Sequence, residues 1–145
     1  ESGAITELLI ERFASERLRP ATDSAAYGRY LQWLHFAESS LMLPLSVEQF
    51  TKKAGVDDNE FLNDCICQEK HKLLSYLNTE VAGKSFIVDH KLSGADFMLS
   101  FDLIMLAKRG ALEDYPYVKQ YALQLASRDS FQRTMRLEAN YDQSI

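Results

Sequence analysis

Apolar residues recur along most of this chain at the three- and four-residue spacing of α-helices, and polar residues take the opposite side of each segment. Residues that interrupt helices, such as Pro20 and Gly55, lie in the connecting stretches. We find no convincing strand pattern, and residues 86–91 suggest a short extended linker. The pattern predicts helices over residues 2–13, 24–43, 58–81, 93–108 and 116–125, then a short helix after residue 129 and an aperiodic tail over residues 140–145.

The second predicted helix carries more apolar side chains than one face can hold. Tyr30, Leu34 and Leu41 belong to one stripe, whereas Trp33 and Phe36 lie off it. A helix with this much apolar surface contacts two things. One is its own core, and the other is a subunit, a ligand or a second domain.

The fourth predicted helix begins with a strong start signal. Ser93 stands at the N-cap with Asp96 three residues later, which is an acidic capping box, and Leu92 and Phe97 hold the positions of a hydrophobic staple. The helix that follows is apolar on nearly every face, so we expect it to be central and buried. Asp102 interrupts it, either as a functional carboxylate or as a hydrogen-bonded or solvent-reaching one.

Composition fits an all-α protein. Hydrophobic residues make up 46% of the 145 residues and charged residues 26%, as in ordinary globular domains. Six glycines and three prolines are few for a fold rich in turns. We therefore predict an all-α helical bundle wrapped around one buried central helix.

Charge and hydropathy argue against several classes of partner. The net charge of −5 lacks the basic footprint that nucleic acid needs. The most apolar run, residues 97–107, is too short to span a membrane, and no signal peptide opens the chain. We expect a soluble, cytoplasmic protein. Its first residue, Glu1, indicates a processed chain or a piece of a longer one.

No residue set points to catalysis or metal binding by itself. His35, His71 and His90 are widely separated, and the two cysteines, Cys65 and Cys67, cannot bridge each other on one helix. The chain also lacks a phosphate-binding glycine loop and a metal-spaced carboxylate set. We predict no metal, and we interpret the histidines and cysteines as structural or surface residues.

Four stretches together resemble one known family. ESGAITELLIERF at residues 1–13 is similar to the segment of glutathione transferases that joins their thioredoxin-like half to their helical half. LSGADFMLSFDL at residues 92–103 resembles the capping box, staple and core helix of their helical domain. Residues 30–45 look like the family's long fourth helix, and residues 114–135 like its closing helices. The resemblance is to bacterial and fungal cytosolic members.

The resemblance implies a division of the chain. Residues 1–14 would be the last helix of a thioredoxin-like, glutathione-binding domain, residues 15–23 an interdomain linker, and residues 24–145 the C-terminal helical domain. In the family, the residue that activates the glutathione sulfur lies near the start of the thioredoxin-like domain. No residue of this chain matches it, so we assign no catalytic residue here and expect this chain alone to be inactive.

The resemblance also implies binding residues. The family uses a Glu-Ser pair, here Glu1 and Ser2, for the γ-glutamyl end of glutathione, its co-substrate. Ser2 and the free N–H groups of the helix it caps suit the α-carboxylate, and Glu1 suits the α-ammonium group. A plain N-cap is the alternative role of Ser2.

The long fourth helix of the family lines the pocket for the hydrophobic electrophile, and family dimers pack near it. The matching stretch offers Leu34, His35, Glu38 and Met42 as pocket candidates. The alternative places Leu34 and Met42 in the core and the polar pair in solvent. A homodimer is expected.

Three functions remain open. The first is the C-terminal portion of a glutathione transferase, which conjugates glutathione to hydrophobic electrophiles or reduces peroxides with it. The second is a non-catalytic scaffold, because similar helical domains serve translation factors and tRNA synthetase complexes. The third is an unrelated helical bundle, in which two family motifs would have to occur at the family's spacing by chance. The Glu-Ser pair and the absence of an initial Met favour the first.

Overall fold

A computed structural model describes residues 1–142 of the chain. Within this range the fold is all-α, as the sequence predicts, and it consists of eight α-helices and one π-helical segment at Ala37–Leu41. The α-helices are α1 (Ser2–Phe13), α2 (Ser15–Leu18), α3 (Ala25–Phe36), α4 (Met42–Ala54), α5 (Glu60–Val81), α6 (Gly94–Lys108), α7 (Pro116–Ala126) and α8 (Asp129–Asp142).

The predicted central helix is α6. It packs between α3 and α7 and also contacts α1 and the π segment. Leu99 and Leu103 are wholly buried within it. It is not apolar and buried on every side, however, because Phe97 and Phe101 are exposed. One side of α6 therefore faces the core and another opens to the surface, which corrects the expectation of burial all round.

The start of α6 forms as predicted. Ser93 and Asp96 make the capping box, in which the Ser93 backbone N–H donates to Asp96 Oδ2 at 2.7 Å. The neighbouring Gly94 lets α1 approach closely, because a Cβ there would lie 2.4 Å from the side chain of Ile10. The staple between Leu92 and Phe97 stays a prediction.

The second predicted helix runs further than the sequence suggested. The chain remains helical from α3 through the π segment into α4, which ends at Ala54 before the left-handed Gly55. Pro44 does not stop it. Proline has no N–H to donate to the residue four positions earlier, and the wider π turn just before it accommodates the missing bond.

The apolar surplus of α3 is used inside the chain itself. Trp33 and Phe36 are both buried, and their rings pack together at 4.9 Å between centroids. Tyr76 of α5 stacks on Trp33 at 5.3 Å. The second contact of this helix is therefore α5 and not, at these two residues, a subunit or a ligand.

The C-terminal helices show one confirmed and one wrong expectation. Pro116 is the first residue of α7, as predicted. The last helix, α8, is longer than expected and continues to Asp142, so residues 140–142 are helical, and residues 143–145 lie outside the described part. Leu137 is exposed, whereas Phe131 in the first turn of α8 packs against the core.

One connection differs from the sequence prediction. Residues 86–91 form turns instead of an extended linker, and Asp89 and His90 adopt left-handed φ angles of 48° and 58°. The turn buries Ile87 and Val88 in the core. The predicted linker at residues 15–23 contains the single helical turn α2.

Apolar side chains of α1 lie on the surface. Ile5, Leu9 and Phe13 are exposed, while Ile10 is buried. In the part of the chain that the structure describes, no helix combines the length and apolar character that crossing a membrane requires.

Candidate functional site

The start of α1, the π segment and α6 enclose a groove of about 700 Å³. Its walls combine acidic groups and hydroxyls with apolar side chains. They consist of Glu1, Ser2, Thr6, Ala37, Glu38, Met42, Phe97, Met98, Phe101 and Asp102. The groove thus brings together the predicted glutathione-binding pair and half of the predicted electrophile-pocket residues, although these two groups lie far apart in sequence.

The N-terminus of α1 holds a carboxylate at the edge of this groove. The Ser2 hydroxyl donates to Glu38 Oε1, and the Gly3 backbone N–H donates to Glu38 Oε2 at 3.1 Å. The hydrogen bond from Ser2 is the main reason why the pKa of Glu38 is lowered. Free N–H groups at a helix N-terminus favour a negative charge in this way.

Ser2 is not the N-cap that the sequence suggested. Glu1 takes the N-cap position and Ser2 is the first helical residue. The Glu1 carbonyl accepts the first helical bond, from the Ile5 N–H at 3.1 Å. This shift leaves the Ser2 hydroxyl free to reach Glu38, a contact that sequence reasoning missed because the two residues lie on different helices.

The four pocket candidates separate into two pairs. Glu38 and Met42 line the groove. Leu34 is completely buried in the core, and His35 is exposed and lies outside the groove wall. Glu38 lies in the π segment between α3 and α4, and Met42 follows it directly. The sequence pattern indicated an uninterrupted α-helix here, so it could not predict which of the four side chains line the groove.

A second buried carboxylate, Asp96, has a structural role at the capped end of α6. It accepts hydrogen bonds from the Ile87 N–H at 3.1 Å and the Ser93 hydroxyl at 2.9 Å, besides that of the Ser93 N–H. The Tyr121 hydroxyl donates to it at 2.5 Å. Burial raises the pKa of Asp96, and these donors oppose that shift.

Asp102 lies in the groove wall and differs from Asp96 in its surroundings. Only 4% of its surface is exposed. Among the residues that the structure describes, none donates a hydrogen bond to it or forms an ion pair with it. Burial, with a smaller contribution from the negative charge of Glu38, raises the pKa of Asp102 to about 6. Asp102 is therefore not the hydrogen-bonded residue that the sequence left as one alternative to a functional carboxylate. The other alternative, a carboxylate that reaches solvent, agrees with its place in the groove wall.

The histidines do not form a centre. The Nδ1 atom of His71 lies 2.8 Å from the Tyr115 hydroxyl, and His90 Nδ1 accepts from the Ser85 N–H at 3.3 Å. Over the described range, no three histidine, cysteine, aspartate or glutamate residues gather in a way that could hold a metal ion.

Comparison with known sequences gives matches over most of the chain. The family model "Glutathione S-transferase, C-terminal domain" matches residues 41–129. Glutathione S-transferase 1 of Saccharomyces cerevisiae is 27% identical, over 90% of this chain and 63% of its own length. Elongation factor 1-gamma of Carassius auratus is 26% identical, over 93% of this chain and 30% of its own length.

Solved structures share the fold. A glutathione S-transferase from Actinobacillus pleuropneumoniae is similar with a TM-score of 0.79 and 29% identity, covering 92% of this chain and 60% of its own. The glutathione transferase URE2P6 from Phanerochaete chrysosporium, solved with oxidized glutathione, superposes with a TM-score of 0.84 at 20% identity. It covers 97% of this chain and 66% of its own. The chain thus spans about 60% of the length of these transferases.

Proposed function

Since this chain belongs to the C-terminal domain family of glutathione S-transferases, we propose that it is the helical portion of a glutathione transferase. The whole protein then transfers glutathione to hydrophobic electrophiles or uses it to reduce peroxides. Within it, residues 1–14 complete a thioredoxin-like domain, residues 15–23 connect the two domains, and residues 24–145 form the helical domain. The proposal includes a cytoplasmic homodimer.

One observation carries this proposal. The N-terminus of α1 already holds a carboxylate, that of Glu38, through the Ser2 hydroxyl and the Gly3 N–H. The γ-glutamyl end of glutathione carries an α-carboxylate of the same kind. The same donors therefore suit glutathione once Glu38 moves aside, and Glu1 lies beside them to pair with the α-ammonium group.

The rest of the groove supplies a surface for the second substrate. Met42, Phe97 and Phe101 give it apolar walls adjacent to the glutathione position. In this proposal the chain supplies the wall of the electrophile pocket and part of the glutathione site. The group that activates the glutathione sulfur comes from the thioredoxin-like domain, so no residue of this chain is assigned as catalytic.

Glutathione itself tests the proposal on this chain. Two or three hydrogen bonds of about 0.5–1.5 kcal/mol each do not offset the freedom that glutathione loses on binding. The carboxylate of Glu38 also competes for the same donors. We expect the isolated chain to bind glutathione more weakly than about millimolar by titration calorimetry, with no conjugating activity above background.

The longer protein, with a thioredoxin-like domain joined before Glu1, should bind glutathione and turn it over. Ser2→Ala in that protein should weaken glutathione binding about tenfold, because one hydrogen bond to a charged group is lost. Ser39→Ala is the matched control, since the Ser39 hydroxyl donates to the His35 carbonyl and lies outside the groove wall. Strong turnover by residues 1–145 alone, or an unchanged affinity in Ser2→Ala, would contradict the proposal.

A specific observation also favours a second candidate, a non-catalytic interaction domain. Glu38 occupies the donors that glutathione would use, and elongation factor 1-gamma is among the relatives. In this case the longer protein fails to bind glutathione even when Glu38→Gln weakens the internal contact. The same titration therefore distinguishes the two candidates.

A further inference from the structure

The groove contains one buried charged group that the fold does not use. Asp102 is 96% buried by residue surface and lines the groove wall. Within the described part of the chain it has no hydrogen-bond donor and no ion-pair partner. Arg109 borders the small depression on the other side of Asp102, yet it forms no ion pair with it. A buried carboxylate without donors is unfavourable in the folded protein, and a bound ligand that supplies donors removes this penalty.

The other acidic group beside Asp102 is already engaged. Glu38 is held by Ser2 and Gly3 at the N-terminus of α1. Its negative charge still raises the pKa of Asp102. Glu1, the third carboxylate of the groove wall, is exposed. Asp102 is thus the buried carboxylate of this groove that is left to meet a ligand, and the local field favours a ligand that is positively charged.

The remaining walls suit the apolar body of an organic cation. Two methionines, Met42 and Met98, and two phenylalanines, Phe97 and Phe101, provide polarizable sulfur atoms and ring faces. Ring faces attract ammonium groups, and thioethers pack against irregular apolar surfaces. No lysine, arginine or histidine belongs to the groove wall as the structure describes it. The positive charge of that wall is the α-ammonium group of Glu1, which acts on Glu38 and helps to lower its pKa.

We propose that this groove binds a primary organic ammonium ion with an aromatic or alkyl body, whose N–H groups donate to Asp102 while the body packs on the phenylalanines and methionines. The identification of this cation as the second substrate rests on the proposed transferase function. The binding of the cation to the groove does not depend on the transferase function, because Asp102 and the apolar walls belong to this chain.

The test compares three ligands of similar size and different charge, so that the effect of ligand charge on affinity can be distinguished from that of ligand shape. The 145-residue chain is titrated with benzylammonium, benzyl alcohol and benzoate, and binding is followed by amide NMR. We expect benzylammonium to bind at least tenfold more tightly than benzyl alcohol, with the largest shifts at residues 97–102, and benzoate to bind more weakly than either. Equal affinity for benzylammonium and benzyl alcohol, or shifts confined to another surface, would overturn the proposal without any variant.

Two matched substitutions then test whether the preference for benzylammonium depends on Asp102. Asp102→Asn should reduce the benzylammonium affinity at least tenfold, to that of benzyl alcohol, and leave benzyl alcohol binding unchanged. Asp114→Asn removes an equal charge from the exposed turn before α7 and should leave both affinities as they are. A preference for benzylammonium that survives in Asp102→Asn would refute the role of Asp102.

The outcomes also separate this inference from the transferase proposal. Cation preference in this chain, combined with no glutathione binding or turnover by the longer protein, refutes the transferase function alone. Glutathione-dependent turnover by the longer protein, combined with no cation preference, refutes the present inference alone.

Discussion

Two aspartates of α6, six residues apart, are buried to nearly the same degree and lie in opposite surroundings. Asp96, with none of its surface exposed, lies at the capped end of the helix and accepts hydrogen bonds from three residues: Ile87, Ser93 and Tyr121. Asp102, 4% exposed, lies on the groove side and accepts none from the described residues. Burial raises the pKa of both.

The difference teaches that burial of a carboxylate does not by itself indicate its role. Asp96 joins α6, α7 and the turn at residues 86–91 into one unit, so its charge belongs to the fold. Asp102 forms no hydrogen bond or ion pair with the described residues. Its buried charge therefore opposes folding and is available to a ligand. We therefore expect opposite effects at the two residues: replacing Asp96 should reduce stability, and replacing Asp102 should increase it.

Asp96→Ala should have the largest effect. The substitution leaves buried donors from Ile87 and Tyr121 without an acceptor, and we expect a loss of about 3–5 kcal/mol in the free energy of unfolding. Urea unfolding followed by the fluorescence of the buried Trp33 measures it. If Asp96→Ala does not fold, Tyr121→Phe removes a single donor and should cost about 1–2 kcal/mol. A loss within about 0.5 kcal/mol for either would contradict the structural role of Asp96.

Asp102→Asn should instead stabilise the chain near neutral pH, by about 1–2 kcal/mol, which is less than the full pKa shift corresponds to because the carboxyl borders the open groove. The amide carries no charge, whereas the wild-type carboxyl has a pKa of about 6 in the folded protein against an ordinary value of 3.8. Because this pKa is raised, the folded state binds the proton more tightly than the unfolded state, and the contribution of Asp102 to the free energy of unfolding rises as the pH falls from about 7 towards 4.

The advantage of Asp102→Asn should accordingly shrink across that pH range and nearly vanish below about pH 4. Urea melts of both proteins at several pH values provide the difference, in which the titration of Asp96 and other common groups cancels. Asp114→Asn, at an exposed site, should change stability by less than about 0.5 kcal/mol at every pH. A destabilised Asp102→Asn at pH 7 would mean that the Asp102 carboxylate has partners in solution.

Ser93→Ala should have a smaller effect at the capped end. It removes the hydroxyl that donates to Asp96 and keeps the backbone N–H that donates to the same oxygen, so we expect a loss of about 1–2 kcal/mol. The midpoint of urea unfolding checks this. A change of only a few tenths of a kcal/mol would show that the backbone contact alone maintains the cap.

Glu38→Gln should have the smallest effect on stability, and the pKa of Asp102 is its readout. Removing the charge of Glu38 should lower the pKa of Asp102, without returning it to its ordinary value, because burial is the larger cause of the shift. Carboxyl NMR titration measures the change. Glu60→Gln, on the exposed first turn of α5, is the control that should leave the pKa of Asp102 in place.

Local chemistry explains which features the sequence could predict. The Ser93–Asp96 box and the start of α7 at Pro116 depend on residues within one helical turn, so their pattern is complete in the sequence. The central position of α6 follows from its high apolar content. These features established the fold class before any contact was known.

Contacts between distant segments explain what the sequence could not predict. Tyr76 covers Trp33 from another helix, so the apolar surplus of α3 looked like an interface. Asn78 of α5 caps α7 by accepting from the backbone N–H groups of residues 117 and 118, and Glu38 reaches Ser2 across 36 positions. Contacts between residues on different helices leave no periodic pattern in the sequence from which they could be predicted. The missing partner of Asp102 is likewise a property of packing, although its place in an apolar helix drew attention to it.

The pKa of Asp102 in the wild-type chain tests the account most directly, and carbon NMR of the aspartate carboxyl groups measures it in one titration. We expect a midpoint near 6 for Asp102, well above the ordinary value, since the carboxyl is buried and no described residue donates to it. A midpoint at or below 3.8 would mean that Asp102 is hydrated or paired, and it would remove both the predicted gain in stability and the reason for a cation to bind in the groove.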